Sequence, residues 1–243
     1  MRVKISGIAI SVALAFSVSG CATHANKDPL ESMNRGIYKF NDTADKAVIK
    51  PIAGAYKAVL PSPIRTGIHN FFSNLGTVTS LINNLLQFEF GKAMDNAGRL
   101  VINSTVGLGG LVDVASMDNV PKHNADFGQT LGKWGVGSGA YIVLPFIGPS
   151  TLRDTAGLAV DTVYLDPIQL VDEARARNQL RLVKFIDLRA QYLPASDLID
   201  DAALDPYIFM REAYLQRRAI AIHGDVPTHD DNFDDDDEEQ PAQ

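Results

Sequence analysis

The residues able to do chemistry are few and scattered. The five histidines are His24, His69, His123, His223 and His229. A hydrolase needs a nucleophile, a base and an oxyanion site held together. Only His123 has a candidate acid close in sequence, Asp126, and both fall in a polar stretch. Ser138 stands among glycines, but Val136 and Ala140 occupy the places where the Gly-x-Ser-x-Gly elbow requires glycine. There is no His-Glu-x-x-His run and no cysteine pair, so neither a structural nor a catalytic zinc is expected. His223 and His229, beside an acidic tail, read as solvated residues before they read as metal ligands. Asn103 to Gly110 is glycine-rich, yet it lacks the Gly-Lys-Ser/Thr of a phosphate loop and the third glycine of a dinucleotide fingerprint. Tight backbone packing is the expectation there. No catalytic residue is assigned; a lipid hydrolase acting near His123 and Asp126 is the weakest functional alternative.

The one cysteine carries a sharper signal. Arg2 and Lys4 precede a short apolar run, Ile5 to Val18, and then Val18-Ser19-Gly20-Cys21. Basic start, apolar middle and small residues before the break describe a signal peptide over residues 1–20. The junction resembles a bacterial lipobox, with acylation of the Cys21 sulfur and a short lipidated tether over 21–27. Acyl chains there hold a protein on a membrane. Ala22, rather than Asp, follows the cysteine and favours the outer membrane. With a single cysteine no disulfide framework is available.

Charge is unevenly spread. Of 29 acidic residues, nine lie between Asp225 and Glu239 with no Lys or Arg among them. The run over 225–243 reads as a disordered acidic tail. Residues 21–224 then hold 20 acidic and 20 basic residues, and no basic stripe points to nucleic acid. A chain of 243 residues can bury a sizeable core.

The elements around these residues read as helices. Asp28-Pro29-Leu30-Glu31 is a helix start. Leu30, Met33, Ile37, Phe40, Ala44 and Val48 then recur at helical spacing, until Lys50-Pro51 ends the helix. That apolar face packs on a core or lies on a membrane. A short helix over Pro51 to Val59, one opened by Pro63, a continuation after Gly76, and one over Phe90 to Val101 follow. None approaches the ~20 residues that span a bilayer. Val171 to Leu193 sets Arg175, Arg177, Arg181, Lys184 and Arg189 against an apolar face, and Asp205-Pro206 caps a last helix with Tyr207, Met210 and Tyr214 inward. Arg217 and Arg218 sit where the helix dipole favours cations.

Between them lies the segment Phe127 to Asp154, with six glycines and the only Trp. Trp134 to Leu152 carries no charge, and its glycines and prolines forbid a spanning helix. It is either a buried hairpin or a mobile wall facing something apolar. In the second reading Trp134 to Ile147 is a gate. Gly135, Gly137 and Gly139, flanking Val136, supply freedom; Tyr141, Ile142, Val143 and Leu144 supply an apolar wall; Pro145 limits the motion.

Several blocks together resemble the VacJ/MlaA lipoproteins. They are Asp28-Pro29-Leu30-Glu31 with Asn34-Arg35; Lys39-Phe40-Asn41-Asp42; Asn70 to Leu75; Asn84 to Gln87; Gly98-Arg99; and Asn103 to Gly110 with Asp113-Val114-Ala115. Asp126 to Gly132, Trp134 to Gly139, Gly148 to Asp154, Asp205-Pro206-Tyr207 and Arg211 to Tyr214 complete the match. Gly76-Thr77-Val78 and Gln87-Phe88 depart from the common pattern and bear on a helix bend. The resemblance covers about residues 28 to 220 and implies one all-α domain over 28–224. It implies a ring of in-plane amphipathic helices around a central channel, in the inner leaflet of the outer membrane. It further implies that misplaced outer-leaflet phospholipid passes through to a periplasmic carrier and on to an inner-membrane ABC transporter, that a trimeric porin is a partner, and that no cofactor is used. A structural scaffold lipoprotein is the alternative.

Overall fold

A computed structural model describes residues 28–224; the signal peptide, Cys21 and its tether, and the acidic tail lie outside the described residues. Helix accounts for 73% and strand for 4%, so the fold is helical with one small hairpin.

The first helix, α1 (Glu31–Ala44), does not stop at Lys50-Pro51. A π-helical segment, Asp45–Ile49, carries it into α2 (Lys50–Val59). Proline lacks an N–H and its ring crowds the carbonyl four residues back, which breaks a regular helix. The widened turn, in which the Lys50 N–H bonds the Asp45 carbonyl, absorbs that defect. Pro61 and Pro63 then separate α2 from α3 (Ser62–Leu86). This helix runs unbroken through Gly76, where a Cβ would meet nothing within 4 Å. At 25 residues it is long enough to span a bilayer, contrary to the sequence expectation. No described helix is both long and apolar enough to do so, because α3 carries Asn, Ser and Thr along its length.

Helix α4 (Phe90–Thr105) folds back on α3 in the most extensive helix pair of the molecule. The turn after it is set by glycine. A Cβ on Gly107 would lie 2.2 Å from the Val112 carbonyl oxygen, and Gly110 has φ +92° with Asn74 against it. Backbone packing, as expected, is what these glycines do. A short α5 (Val114–Met117) and an extended loop lead to α6 (Phe127–Lys133). Strands β1 (Tyr141–Leu144) and β2 (Gly148–Thr151) pair antiparallel, Tyr141 opposite Thr151 and Leu144 opposite Gly148. The hairpin therefore lies further along the chain than the Trp134 to Ile147 span read from composition. Helix α7 (Leu152–Val160) leaves β2 directly and crosses α6 so closely that a Cβ on Gly157 would sit 2.2 Å from the Gly128 nitrogen. A second π-helical turn and a 3-10 turn lead to α8 (Ala174–Ala202), which packs on α2, and α9 (Pro206–His223) closes the fold against α6 and β2.

The interior departs from the sizeable apolar core that the length allows. Two small apolar clusters exist, Ala53 with Ala190 and Leu193, and Tyr141 with Val143 and Tyr207. Among the described residues 17 polar or charged side chains are buried against 11 apolar ones, while large hydrophobics such as Phe88, Met94 and Leu108 are more than 70% exposed.

Candidate functional site

Helix α4 shows how the sequence builds this inversion. Its buried positions are Ala93, Asn96, Arg99 and Asn103, one stripe at helical spacing. Phe90, Met94 and Val101 make the opposite, exposed stripe. Helix α3 buries Phe72, Asn74, Thr77, Ser80, Asn83 and Asn84. Buried amides demand partners, and here they hold loops. Asn96 donates to the His123 carbonyl at 2.7 Å and accepts from its N–H at 3.2 Å. Asn103 accepts from the Ala115 N–H, and Arg99 donates to both oxygens of Asp113 at 2.8 Å. Asn83 donates to Asp161 at 2.9 Å and accepts from Thr130 at 2.8 Å. Burial pushes the Asp161 carboxyl up, against the pull of the Phe127 N–H and Asn83.

The central segment is clamped at its ends by one helix. Asp126 caps α6 through the Gln129 N–H, and Thr151 caps α7 through the Asp154 N–H. Arg218, on α9, bridges these two ends. Its guanidinium donates to Asp126 at 2.5 and 2.9 Å and to Asp154 at 2.8 Å. Tyr214 donates to the other Asp154 oxygen at 2.7 Å. Burial alone would raise the Asp154 carboxyl; Arg218, Tyr214 and Arg153 hold it below the usual carboxylate range. The sequence placed Arg218 among cations serving a helix end. It is instead a buried residue inside α9, because the helix continues to His223.

The hairpin is fastened to α1 by asparagines seven residues apart. Asn34, wholly buried, donates to the Tyr141 carbonyl at 3.0 Å and accepts from the Val143 N–H at 2.9 Å. Asn41 repeats the arrangement, donating to the Leu144 carbonyl at 2.9 Å and accepting from the Phe146 N–H at 2.8 Å. Each carboxamide thus takes the part of a neighbouring strand. Asp28 orders Asn34 from behind, accepting from its amide at 2.8 Å and from the Tyr207 hydroxyl.

The expected gate residues divide. Tyr141 and Val143 point into the apolar cluster with Tyr207, Ile37, Tyr38 and Met210. Ile142 and Leu144 lie half-buried on the other face of β1, and Pro145 is exposed in the turn. Trp134, Gly135, Val136 and Gly137 are exposed with Ser138, ahead of the hairpin. This arch is tied at Trp134, whose indole N–H donates to the Leu86 carbonyl, at Gly135 and Val136, whose N–H groups donate to the Gly132 and Leu131 carbonyls, and by Arg153, which reaches the Ser138 carbonyl at 3.1 Å and the Val136 carbonyl at 3.3 Å. Gly135 has φ +88° and Gly139 φ +66°, conformations that favour glycine. Gly137 needs no such freedom, and a Cβ there meets nothing within 4 Å.

His123 and Asp126 are not brought together. His123 pairs with Asp95 at 2.9 Å, and Asp126 is held by Arg218. The pairing proposed for a hydrolase therefore does not form. The asparagine stripes were the residues that sequence reasoning missed. Their signal, Asn34 with Asn41 and Asn96 with Asn103 at heptad spacing, is a repeat that a count of apolar positions passes over.

A family model described as MlaA lipoprotein matches residues 26–221. The "Intermembrane phospholipid transport system lipoprotein MlaA" of Shigella flexneri is 35% identical over 230 residues, covering 92% of this chain and 90% of its own. The protein of that name from Haemophilus influenzae is 35% identical over 235 residues, covering 90% and 92%. A solved chain described under "Structural basis for maintenance of bacterial outer membrane lipid asymmetry" superposes with a TM-score of 0.70 at 38% identity, over 80% of this chain and 98% of that one.

Proposed function

The chain belongs to the MlaA lipoprotein family, and from that premise we propose that it is an outer-membrane lipoprotein of an intermembrane phospholipid transport system, acting to maintain lipid asymmetry. Misplaced outer-leaflet phospholipid enters the protein and passes to a periplasmic carrier of an ABC-transporter system. Cys21, acylated after removal of residues 1–20, anchors the chain from the periplasmic side, and a trimeric porin is its partner.

The observation that carries this reading is the inverted surface. In water an exposed stripe of Phe90, Met94 and Val101 over a buried stripe of Asn96, Arg99 and Asn103 has no advantage. In hydrocarbon it does, because lipid covers the apolar face while backbone and amide groups satisfy one another inside. With no spanning helix among the described residues, the helices suit one leaflet.

Deleting the gene and measuring outer-leaflet phospholipid tests the reading. Accumulation reversed by the wild-type gene is expected; unchanged outer-leaflet phospholipid leaves only a scaffold. Intact-mass analysis of the mature protein is expected to show acyl mass on Cys21. The gate belongs to the same reading: the arch from Trp134 to Gly139 opens a lipid passage, hinged at Gly135 and Gly139, beside Ile142 and Leu144. The Arg153 N–H donates to the Ser138 carbonyl at 3.1 Å, which sets the two residues side by side without touching either hinge glycine. The pair Ser138→Cys with Arg153→Cys is expected to lock the arch. Transport into liposomes stops when the pair is oxidised and returns with reductant; equal transport in both states sinks the gate.

A further inference from the structure

A cleft of about 280 Å³ lies away from the hairpin. Asn84 and Gln87 at the end of α3, Lys92 in the first turn of α4, and Lys122, His123 and Asn124 of the loop before α6 line it. Gln129 and Lys133 of α6 and Ile220 and Ala221 of α9 complete the wall. The lining thus holds three lysines, four carboxamides and no carboxylate. In a body with equal numbers of acidic and basic residues, that segregation is not a by-product of overall charge.

The charges are only partly answered. One carboxylate, Glu89, serves both Lys133 at 2.6 Å and Lys92 at 3.5 Å. Lys122 lines the cleft with its chain but turns its ammonium away, donating to the Ser73 hydroxyl three turns back along α3 from Asn84, so Lys92 and Lys133 carry the charge of the cleft. His123 is held by Asp95 outside the lining. Cation excess, several donors at different angles and a small volume suit a tetrahedral anion. The cleft falls just below the ~300–1,000 Å³ of small-molecule pockets, and its apolar share is only Ile220 and Ala221. It has room for a headgroup and not for acyl chains.

We propose that this cleft binds the phosphate of a phospholipid headgroup, with Lys92 and Lys133 supplying charge and Asn84, Asn124 and Gln129 contacting the polar remainder. The phosphate chemistry stands on the cleft itself; the lipid as its source rests on the transport reading.

The single Trp reports on the site. The Trp134 indole N–H donates to the Leu86 carbonyl at 3.1 Å, beside Gln87, and Trp134 follows Lys133 in the chain. In the purified full-length lipoprotein, dihexanoylphosphatidylglycerol below its micelle concentration is expected to change Trp134 fluorescence saturably. Inorganic phosphate is expected to compete at higher concentration, and phosphate-free dihexanoylglycerol to do nothing. The double variant Lys92→Gln with Lys133→Gln should weaken binding at least tenfold. So should Asn124→Asp, which puts a carboxylate into an exposed lining position and is the safer variant for folding. Lys57→Gln, on α2, makes the same charge change outside the cleft and should leave binding alone. Unchanged binding in both cleft variants, or equal binding of dihexanoylglycerol, overturns the proposal. Saturation by inorganic phosphate without any lipid response overturns the lipid source. Two failures stay distinct. If deletion leaves outer-leaflet phospholipid normal while the variants lose binding, the transport reading falls and the cleft stands. If deletion raises it and Asn124→Asp both binds like wild type and restores asymmetry, the cleft alone falls.

Discussion

The hairpin over 141–151 and the arch over 134–139 are neighbours in one uncharged stretch, yet they are held in opposite ways. The hairpin is bonded on every side: to Asn34 and Asn41 on α1, to the Tyr207 cluster, and through Thr151 and Asp154 to Arg218. The arch has exposed side chains, two left-handed glycines and few bonds to the rest. Glycine content does not tell the two apart; partners for the backbone do. Low local stability belongs where buried contacts and hydrogen bonds are few, which confines any hinge to six residues.

The comparison breaks most severely at Arg218. Arg218→Met leaves the buried Asp154 with Arg153 and Tyr214 alone and takes the arginine from Asp126, and unfolding in denaturant should show a loss of about 3–4 kcal/mol. Asn34→Ala comes next. It leaves the Tyr141 carbonyl and Val143 N–H without partners, and a loss of roughly 2–4 kcal/mol is expected from the same measurement. If either variant is as stable as wild type, the hairpin is not clamped as described.

A pH titration sharpens the same point. The Asp154 carboxyl is depressed in the fold, so its contribution is complete above the unfolded range near about pH 4 and is lost as pH falls through the lower folded value. Arg218→Met removes the main cause of the depression, and its acid-unfolding midpoint should move to higher pH than in wild type. The smallest effects are expected in the arch. Gly135→Ala, at φ +88°, should cost about 1 kcal/mol, and Gly137→Ala should fall within ~0.5 kcal/mol. A larger cost at Gly137 than at Gly135 would mean that the arch is packed rather than open.

Much of this fold was legible from residue types. Helix starts at Pro63 and at Asp205-Pro206 follow from proline geometry and capping, and the glycines after α4 follow from backbone crowding. The assignment of faces was not legible. Periodicity says which residues share a stripe and is silent on which stripe meets the interior. Leu30, Met33, Phe40 and Val48 belong to a regular apolar stripe and are all exposed, while Asn34, one turn on from Leu30 at the edge of that stripe, is buried. The surroundings decide that sign, which is why the sequence leaves core and membrane open for the apolar face of α1. The continuous helix through Pro51 was hidden for a different reason: a π-helical turn leaves no mark in a pattern built on 3.6 residues. Arg218 was misplaced because its partners, Asp126 and Asp154, lie 92 and 64 residues away.

The two asparagines on α1 have one more consequence. A strand edge with free N–H and C=O groups is a template on which other chains can assemble. The outer edge of β1 is closed by Asn34 and Asn41, which occupy its backbone groups with side chains that cannot extend a sheet. A two-stranded sheet is thereby protected from pairing with a second copy of itself. Chains with that edge uncovered should be found in intermolecular β-aggregates before they are found unfolded.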